Sequence, residues 1–315
     1  MPKTFLQSFV RKDRRQTSFF DGLRPRLCAA LFFWELIVLN AFPSNAHTHT
    51  PYCDGQTSIE DMVARAKSLG FVSLGFSGHA HQGFDPEYSM SLPNQALYFQ
   101  KLRGLRVPGL RIWAGLELDG LADDACRSLA RSQSDYLIGS THYLPLPDGG
   151  RVAVDGPAEL LQQSLNTFFD GDGLALTRAY YNAHTAHLLR DKPDIIGHFD
   201  LIRKHAARIG LFAEEDAAYQ RIAASALEAA FPCGGVLEVN TGGIARGYLP
   251  TPYPALPLLQ VWRELGGRVT LTSDCHDGRY LDTWFEQGLA LIRRAGFDHV
   301  MMLGTRDQLW EEFAL

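Results

Sequence analysis

Two histidines two residues apart, His47 and His49, open the part of the chain that can do chemistry, and Cys53, Asp54 and Gly55 follow them. In an extended strand, residues two apart project to the same side, so the pair can hold one metal ion together. Neutral imidazole is a standard ligand for zinc, iron or nickel. Asp274 and His276 repeat the spacing. Glu117 supplies a carboxylate whose two oxygens can bridge two ions at the ~3.5–4 Å separation suited to two-metal hydrolysis. His79, His142 and His198 each close a short apolar run, in Phe76-Ser77-Gly78-His79, Gly139-Ser140-Thr141-His142 and Ile196-Gly197-His198. A single histidine after a strand is usually structural, but so many at successive run ends make coincidence a weak explanation.

Other residues read two ways. Asp54 before Gly55 also fits a turn, and Glu117 or Asp274 alone would fit a helix cap or an ion pair. Cys53 and Cys275 lie beside candidate ligands as soft donors, in roles that Asp54 and the Asp274/His276 pair fill better. The run Glu238-Val239-Asn240-Thr241 ends in groups suited to hydrogen-bonding a substrate, Asn240 first. Arg246 follows it, and Arg203-Lys204 follow His198; a planar guanidinium matches phosphate oxygens. His81 stays ambiguous beside His79. His184, His187, His205 and His299 fall on or near helix-like segments and read as structural.

The apolar runs alternate with helical patterns. Ser58 to Lys67 has a cap residue, an acidic first turn and apolar Ile59, Met62, Val63 and Ala66 on one face, and it stops before Gly70. Further helices are expected over 94–105, 121–132, 172–190, 214–230, 254–266 and 281–295, with a last strand over 300–303. Continuous apolar strands alternating with helices signal a parallel sheet covered on its outside. Seven or eight such units over about 270 residues predict an α/β, TIM-like barrel with its chemistry at the C-terminal ends of the strands. The Gly/Asp-rich pieces at 148–150 and 170–173 read as an excursion on that rim.

The chain has 315 residues, 46% of them hydrophobic, and a net charge of −5, so a sizeable core is within reach and a nucleic-acid or membrane-surface partner is not expected. Five widely spaced cysteines with no Cys-x-x-Cys argue for free thiols, a reducing compartment and a cytoplasmic location. Residues 1–27 are rich in arginine, and an apolar stretch runs from Leu27 to Phe42. It resembles a signal peptide superficially, but the basic part is long, Glu35 interrupts the apolar part, and cleavage after Ala46 would remove the strand carrying His47. It is also shorter than the ~20 residues of a membrane span. Residues 1–40 are therefore expected to be an extension, and 41–315 the barrel. Oligomeric state is not legible.

Taken together, His-x-His followed by Asp-Gly, then Ser-Gly-His79, Gly-Leu-Glu117, Ser-Thr-His142, Gly-His198-Phe-Asp and Ser-Asp274-x-His276 resemble the polymerase-and-histidinol-phosphatase (PHP) family. The stretches 47–55, 193–204 and 240–248 resemble its histidinol-phosphatase branch. The resemblance implies a distorted (β/α)7 barrel with two to three divalent ions, zinc, manganese or iron, on its rim. Carried over by position, His47, His49, Glu117 and Asp274 would hold one ion. Glu117, His142 and His198 would hold a second, and Asp54, His79 and His276 a third. Asn45 stands where the family often has Asp. The implied activity is hydrolysis of L-histidinol phosphate in histidine biosynthesis, with Glu117, Asp274, Arg203 and Arg246 expected at the reaction and Arg203, Arg246 and Asn240 on the substrate. Another phosphoester, such as a nucleotide or sugar phosphate, is the alternative; an inactive metal-binding regulatory module is a third reading.

Overall fold

Parallel strands need long crossovers, and here each crossover is helical, which lets the strands pack as one layer inside a helical coat. The structure is a computed structural model, and it describes residues 41–146 and 148–315; the expected extension, residues 1–40, lies outside them. The strands are β1 (Ser44–Asn45), β2 (Ser73–Phe76), β3 (Arg111–Asp119), β4 (Tyr136–Ser140), β5 (Tyr143–Pro145), β6 (Arg151–Ala153), β7 (Ile195–Ile196), β8 (Val236–Asn240), β9 (Val269–Thr272), β10 (His299–Leu303) and β11 (Trp310–Ala314). The main sheet runs β1-β2-β3-β4-β7-β8-β9-β10-β11. Every neighbour pair in it is parallel except β10–β11.

The ring closes in two ways at two heights, which is the source of its distortion. At the rim, the chain just after β1 pairs with the chain just after β9: Thr48 bridges Cys275, His49 N donates to Cys275 O at 2.8 Å, and Cys275 N donates to His47 O at 3.1 Å. Lower down, β10 is inserted. Ser73 Oγ donates to Leu303 O at 2.6 Å and Leu303 N to Ser44 Oγ at 3.3 Å. Seven strand ends therefore ring the mouth although eight parallel strands form the sheet. Beneath the mouth the barrel is filled by Ala46, Trp113, Tyr136, Ile138, Ile195 and Leu303. The Tyr136 side chain occupies the space left by Gly75 and Gly115, where an added Cβ would come within 2.2 Å of its hydroxyl and 2.4 Å of its ring. This packed floor fixes the strands that carry the ligands.

The expected helices are present, shifted by a few residues where a cap was overlooked. Ile59–Ser68 is capped by Ser58, whose side chain accepts from Asp61 N, and it buries Ile59, Met62 and Ala66. Asp123 caps Asp124–Gln133 and Asp216 caps Ala217–Ala230, so both helices begin later than the apolar pattern suggests. The long helix Gly173–Asp191 begins one residue after the expected start, and Asp172 caps it. The Gly/Asp-rich excursion holds a hairpin, β5–β6, and a helix, Ala158–Phe168, that the sequence pattern did not reveal. β11 was also not expected. No described helix is long and apolar enough to cross a membrane.

Candidate metal centre

His47 and His49 reach the mouth on the continuation of β1. Asn45 aligns this segment: its Oδ1 accepts from His47 N at 2.9 Å, and its Nδ2 donates to Ser273 Oγ at 2.7 Å and Leu281 O at 2.9 Å. An amide serves there because both an acceptor and a donor are needed. Asp274 follows β9 with φ 49°, a left-handed conformation that Asp tolerates better than most residues. The turn lets Asp274 and His276 both face the His47–His49 pair, and the His276 ring stacks on His49 with centroids 3.9 Å apart.

Glu117, 1% exposed, is the hub. Its Oε2 lies 3.2 Å from His47 Nε2, 3.5 Å from His49 Nε2 and 3.1 Å from His79 Nδ1. Its Oε1 lies 3.0 Å from His198 Nε2 and 3.6 Å from His142 Nε2. Asp274 Oδ1 stands 3.2 Å from His49 Nε2 and 3.5 Å from His47 Nε2. Asp54 completes the outer side, with Oδ2 3.0 Å from His276 Nε2 and 3.8 Å from His79 Nε2, and Oδ1 3.4 Å from His49 Nδ1. All nine expected ligands thus converge. Three groups have ligand atoms within 4.8 Å of one another: His49/Asp54/His79/His276, His47/His49/Asp274 and His79/Glu117/His142. This grouping differs from the sets implied by the resemblance: His49 joins the Asp54 group, Glu117 is absent from the His47/His49/Asp274 group, and His79 stands where His198 was expected beside Glu117 and His142, with His198 in none of the three. Cys53 Sγ lies 3.7 Å from His49 Nδ1 and donates to Thr50 O at 3.3 Å; Cys275 Sγ donates to Asp277 O at 2.9 Å. Neither is in a ligand group.

Two carboxylates behind the ligands set their orientation, and residue patterning had not marked them. Glu238 Oε1 accepts from His47 Nδ1 at 2.6 Å and from Thr272 Oγ1 at 2.6 Å, and its Oε2 accepts from His198 N at 2.7 Å. Asp119 Oδ2 accepts from His142 N at 2.8 Å and lies 3.2 Å from His142 Nδ1. A carboxylate behind an imidazole turns its other nitrogen toward the metal side and raises its basicity. The signal was available: Asp119 is two residues beyond Glu117, and Glu238 two before Asn240, each on the same side of its strand.

Electrostatics agree with a cation site. Burial opposes a charged imidazole at His47, but Glu238, Asp274 and Glu117 outweigh it and raise the pKa to about 10. His142 also rises to about 10, burial being overcome by Glu117 and Asp119. At His79 burial prevails, with His49 and His142 adding repulsion, and the pKa falls to about 4. Burial pushes the Glu117 and Asp274 carboxyls up, yet the neighbouring imidazoles, and Arg246 at Asp274, hold them well below the usual range. So dense a set of ionised carboxylates demands positive charge. Buried His47 Nε2 and His49 Nε2 have no hydrogen-bond partner, although both lie within 3.5 Å of Asp274 Oδ1. Orphaned lone pairs aimed at common points fit divalent ions, and the nitrogen and oxygen donors suit zinc, manganese or iron.

The centre floors a cavity of about 560 Å³ whose walls include Tyr88, Asp155, Lys204, Arg246, Tyr248 and Tyr253. Arg246 lines it and also holds Asp274, donating from Nη2 to Oδ2 at 2.8 Å and from Nη1 to the backbone O at 3.1 Å. Arg203 is a correction: it does not line the cavity. It is buried, donating to Asp200 Oδ2 at 3.3 Å, Glu214 Oε2 at 2.8 Å, Thr251 Oγ1 at 2.9 Å and Pro252 O at 3.2 Å. It ties the segment bearing Tyr253 to the turn after β7, and its neighbour Lys204 faces the cavity instead. Asn240 is a second correction. It is fully buried, with Nδ2 donating to Glu238 Oε2 at 3.0 Å and Oδ1 accepting from Gly242 N at 2.8 Å, so it is spent on support.

A barrel whose strand ends converge histidines and carboxylates on one pocket defines a class of metal-binding hydrolase folds. More specifically, the chain belongs to the PHP domain family, whose model matches residues 45–242. It is 26% identical over 311 residues to a "Probable histidinol-phosphatase" of Schizosaccharomyces pombe, covering 86% of this chain and 97% of that protein. Among solved structures, it resembles the "putative histidinol phosphatase" of Listeria monocytogenes with a TM-score of 0.66 and 23% identity, over 78% of this chain and 99% of the other. It also resembles the histidinol phosphate phosphatase of Lactococcus lactis, complexed with zinc, L-histidinol and phosphate. There the TM-score is 0.57 and the identity 20%, over 84% of this chain and 97% of the other. The fold expectation, a distorted TIM-like barrel, holds.

Proposed function

We propose that this chain is a metal-dependent phosphomonoesterase that hydrolyses L-histidinol phosphate to L-histidinol and phosphate, a cytoplasmic step of histidine biosynthesis. The observation that carries the reading is the convergence of Glu117 and eight further candidate ligands, five of them imidazoles around Glu117 itself, beneath a cavity that also presents Arg246 and Lys204. A relative that matches 86% of this chain and is named a probable histidinol-phosphatase supports the choice of ester.

His47, His49, Asp54, His79, Glu117, His142, His198, Asp274 and His276 would hold two to three divalent ions. Bound there, the ions supply Lewis acidity that activates water near neutral pH and offsets phosphate charge. The protein's own contributions follow from geometry. Glu117 presents one oxygen to each half of the cluster and fixes their spacing. Glu238 and Asp119 hold His47 and His142 in one orientation. Arg246 anchors Asp274 and keeps part of its guanidinium toward the cavity, where it can donate to phosphate oxygens in a planar fork. Lys204, seated 4.4 Å from the Tyr248 ring centroid, adds a second cation on the same wall. No side-chain nucleophile is required.

A substrate panel tests the reading. Phosphate release from histidinol phosphate should exceed that from nucleotide monophosphates, sugar phosphates and an aryl phosphate in kcat/KM. Faster release from a nucleotide monophosphate would replace the proposed substrate.

A further inference from the structure

The opposite end of the barrel carries a second concavity that the proposed hydrolysis does not use. Strand β3 begins at Arg111 and delivers Glu117 to the metal centre, so the two residues lie about 20 Å apart at ~3.3 Å per residue. Around Arg111, the end of the helix Leu92–Gly104, the loop after it and the starts of β2 and β3 enclose a cavity of about 920 Å³. It is larger than the cavity over the metal centre and falls within the ~300–1,000 Å³ of sites for small organic ligands. Its floor is apolar: Leu102, Leu110 and Ala114 are buried, and Val107 and Ile112 are partly so. Gly109, at φ 79°, turns the loop so that Leu110 N donates to Val107 O at 3.1 Å, which holds that wall in shape.

The rim is cationic. Arg103, Arg106 and Arg111 line it against a single acid, Asp135. Neutral groups hold each guanidinium. Arg103 Nη2 donates to Gln133 O, and its guanidinium lies 5.5 Å from the Phe99 ring centroid. Arg106 Nη1 donates to Arg103 O at 2.8 Å and to Leu105 O at 2.7 Å. The Arg111 guanidinium lies 5.0 Å from the Trp113 ring centroid. Carbonyls and rings therefore fix these side chains without neutralising them, and none of the three forms an ion pair with a carboxylate among the described residues. Asp135 is engaged with the backbone, its Oδ2 accepting from Ala114 N at 2.8 Å. Two positive charges remain in excess in the lining, in a chain whose net charge is −5. An ordinary solvated arginine face needs neither an apolar floor nor a concavity; this one has both.

We propose that this concavity binds a small organic anion, whose apolar or aromatic body lies on the Leu110–Ile112 floor and whose phosphate or carboxylate takes the free N–H groups of Arg103, Arg106 and Arg111. A guanidinium donates to either head group through two parallel bonds, and the excess of two charges favours a dianion. The site is independent of the phosphatase reading, since it shares no residue with the metal-centre cavity and lies at the other end of β3. Its ligand therefore does not compete with the substrate.

Phenylphosphonate is a suitable probe: it joins an aromatic body to a dianionic head through a P–C bond that ester hydrolysis leaves intact. Hydrogen–deuterium exchange of the metal-loaded full chain, read peptide by peptide, separates this site from the metal centre. Saturating phenylphosphonate should slow exchange across residues 102–112. In Arg106→Gln/Arg111→Gln the same protection should need about tenfold more ligand or beyond, the scale of lost charge-assisted contacts, with metal content and kcat/KM for histidinol phosphate equal to wild type. Inorganic phosphate, a head without a body, and benzyl alcohol, a body without a head, should each protect 102–112 only at higher concentration than phenylphosphonate. No protection of 102–112 in the wild type, or an unchanged midpoint in the double variant, overturns the site. Protection by benzyl alcohol at the phenylphosphonate midpoint overturns the assignment of an anionic ligand.

Discussion

Glu117 and Glu238 look alike in the sequence, each a glutamate on an apolar strand, but they act at different distances from the chemistry. Glu117→Gln replaces a carboxylate that faces five imidazoles with a neutral amide, and it should remove bound metal and nearly all turnover. Glu238→Gln keeps the ligands and weakens the hold on His47 Nδ1 at 2.6 Å. Metal affinity should drop about 10–100-fold, with activity recovered at high metal concentration. Competition with a metallochromic chelator separates the two. The histidines also set a pH dependence. In the metal-free protein His47 and His142 have pKa values raised to about 10, so both hold protons at pH 7. A ligand must be neutral, so loading metal expels them, and apparent affinity should rise with pH up to about 10. For folding the sign is the reverse. A raised pKa stabilises the metal-free fold fully below the unfolded value of ordinary histidine and loses that contribution as pH climbs through about 10. Calorimetric metal titration in buffers of different ionisation enthalpy should register proton release at pH 7; none would refute the protonated imidazoles.

At the scale of elements, the two arginines after β7 and β8 have different work. Arg246 sits on the short helical turn after β8 and faces the cavity, whereas Arg203 lies in the 3-10 turn Leu201–His205 and points into the wall. Arg203→Ala leaves Asp200 buried without its cation, and chemical denaturation should show a loss of about 3–5 kcal/mol. Arg246→Ala should spare most stability and lower kcat/KM about ten- to a hundredfold, the scale of one charge-assisted contact, with Lys restoring it only in part. These positions also show where sequence was legible. Strand-end ligands could be read because alternation fixes which side of a strand a residue takes, so His47 with His49 and Asp274 with His276 carried their own geometry. Arg203 and Asn240 could not be read in the same way. Seven residues past a strand, inside a 3-10 turn, no simple period tells Arg203 from Lys204, and Asn240 is already satisfied by Glu238 and Gly242. The helix Ala158–Phe168 and β11 are obscured because Leu160 on the one is exposed and no residue of the other is fully buried, which blurs the apolar pattern.

For the whole molecule, the ligands span residues 47–276, and the ring is closed by contacts between the first strand and the last ones, so bound metal would tie together elements far apart in the sequence. All nine ligands lie within 41–315. A chain shortened to begin at Ile37 should therefore keep its metal content and turnover; loss of either would make residues 1–36 part of the functional unit. The most direct measurement is the metal content of the purified protein taken together with phosphate release from histidinol phosphate, before chelation, after it, and after metal is restored. More than one transition-metal ion per chain, activity abolished by the chelator and recovered on reloading is the expected result. Full activity in metal-free protein would contradict it.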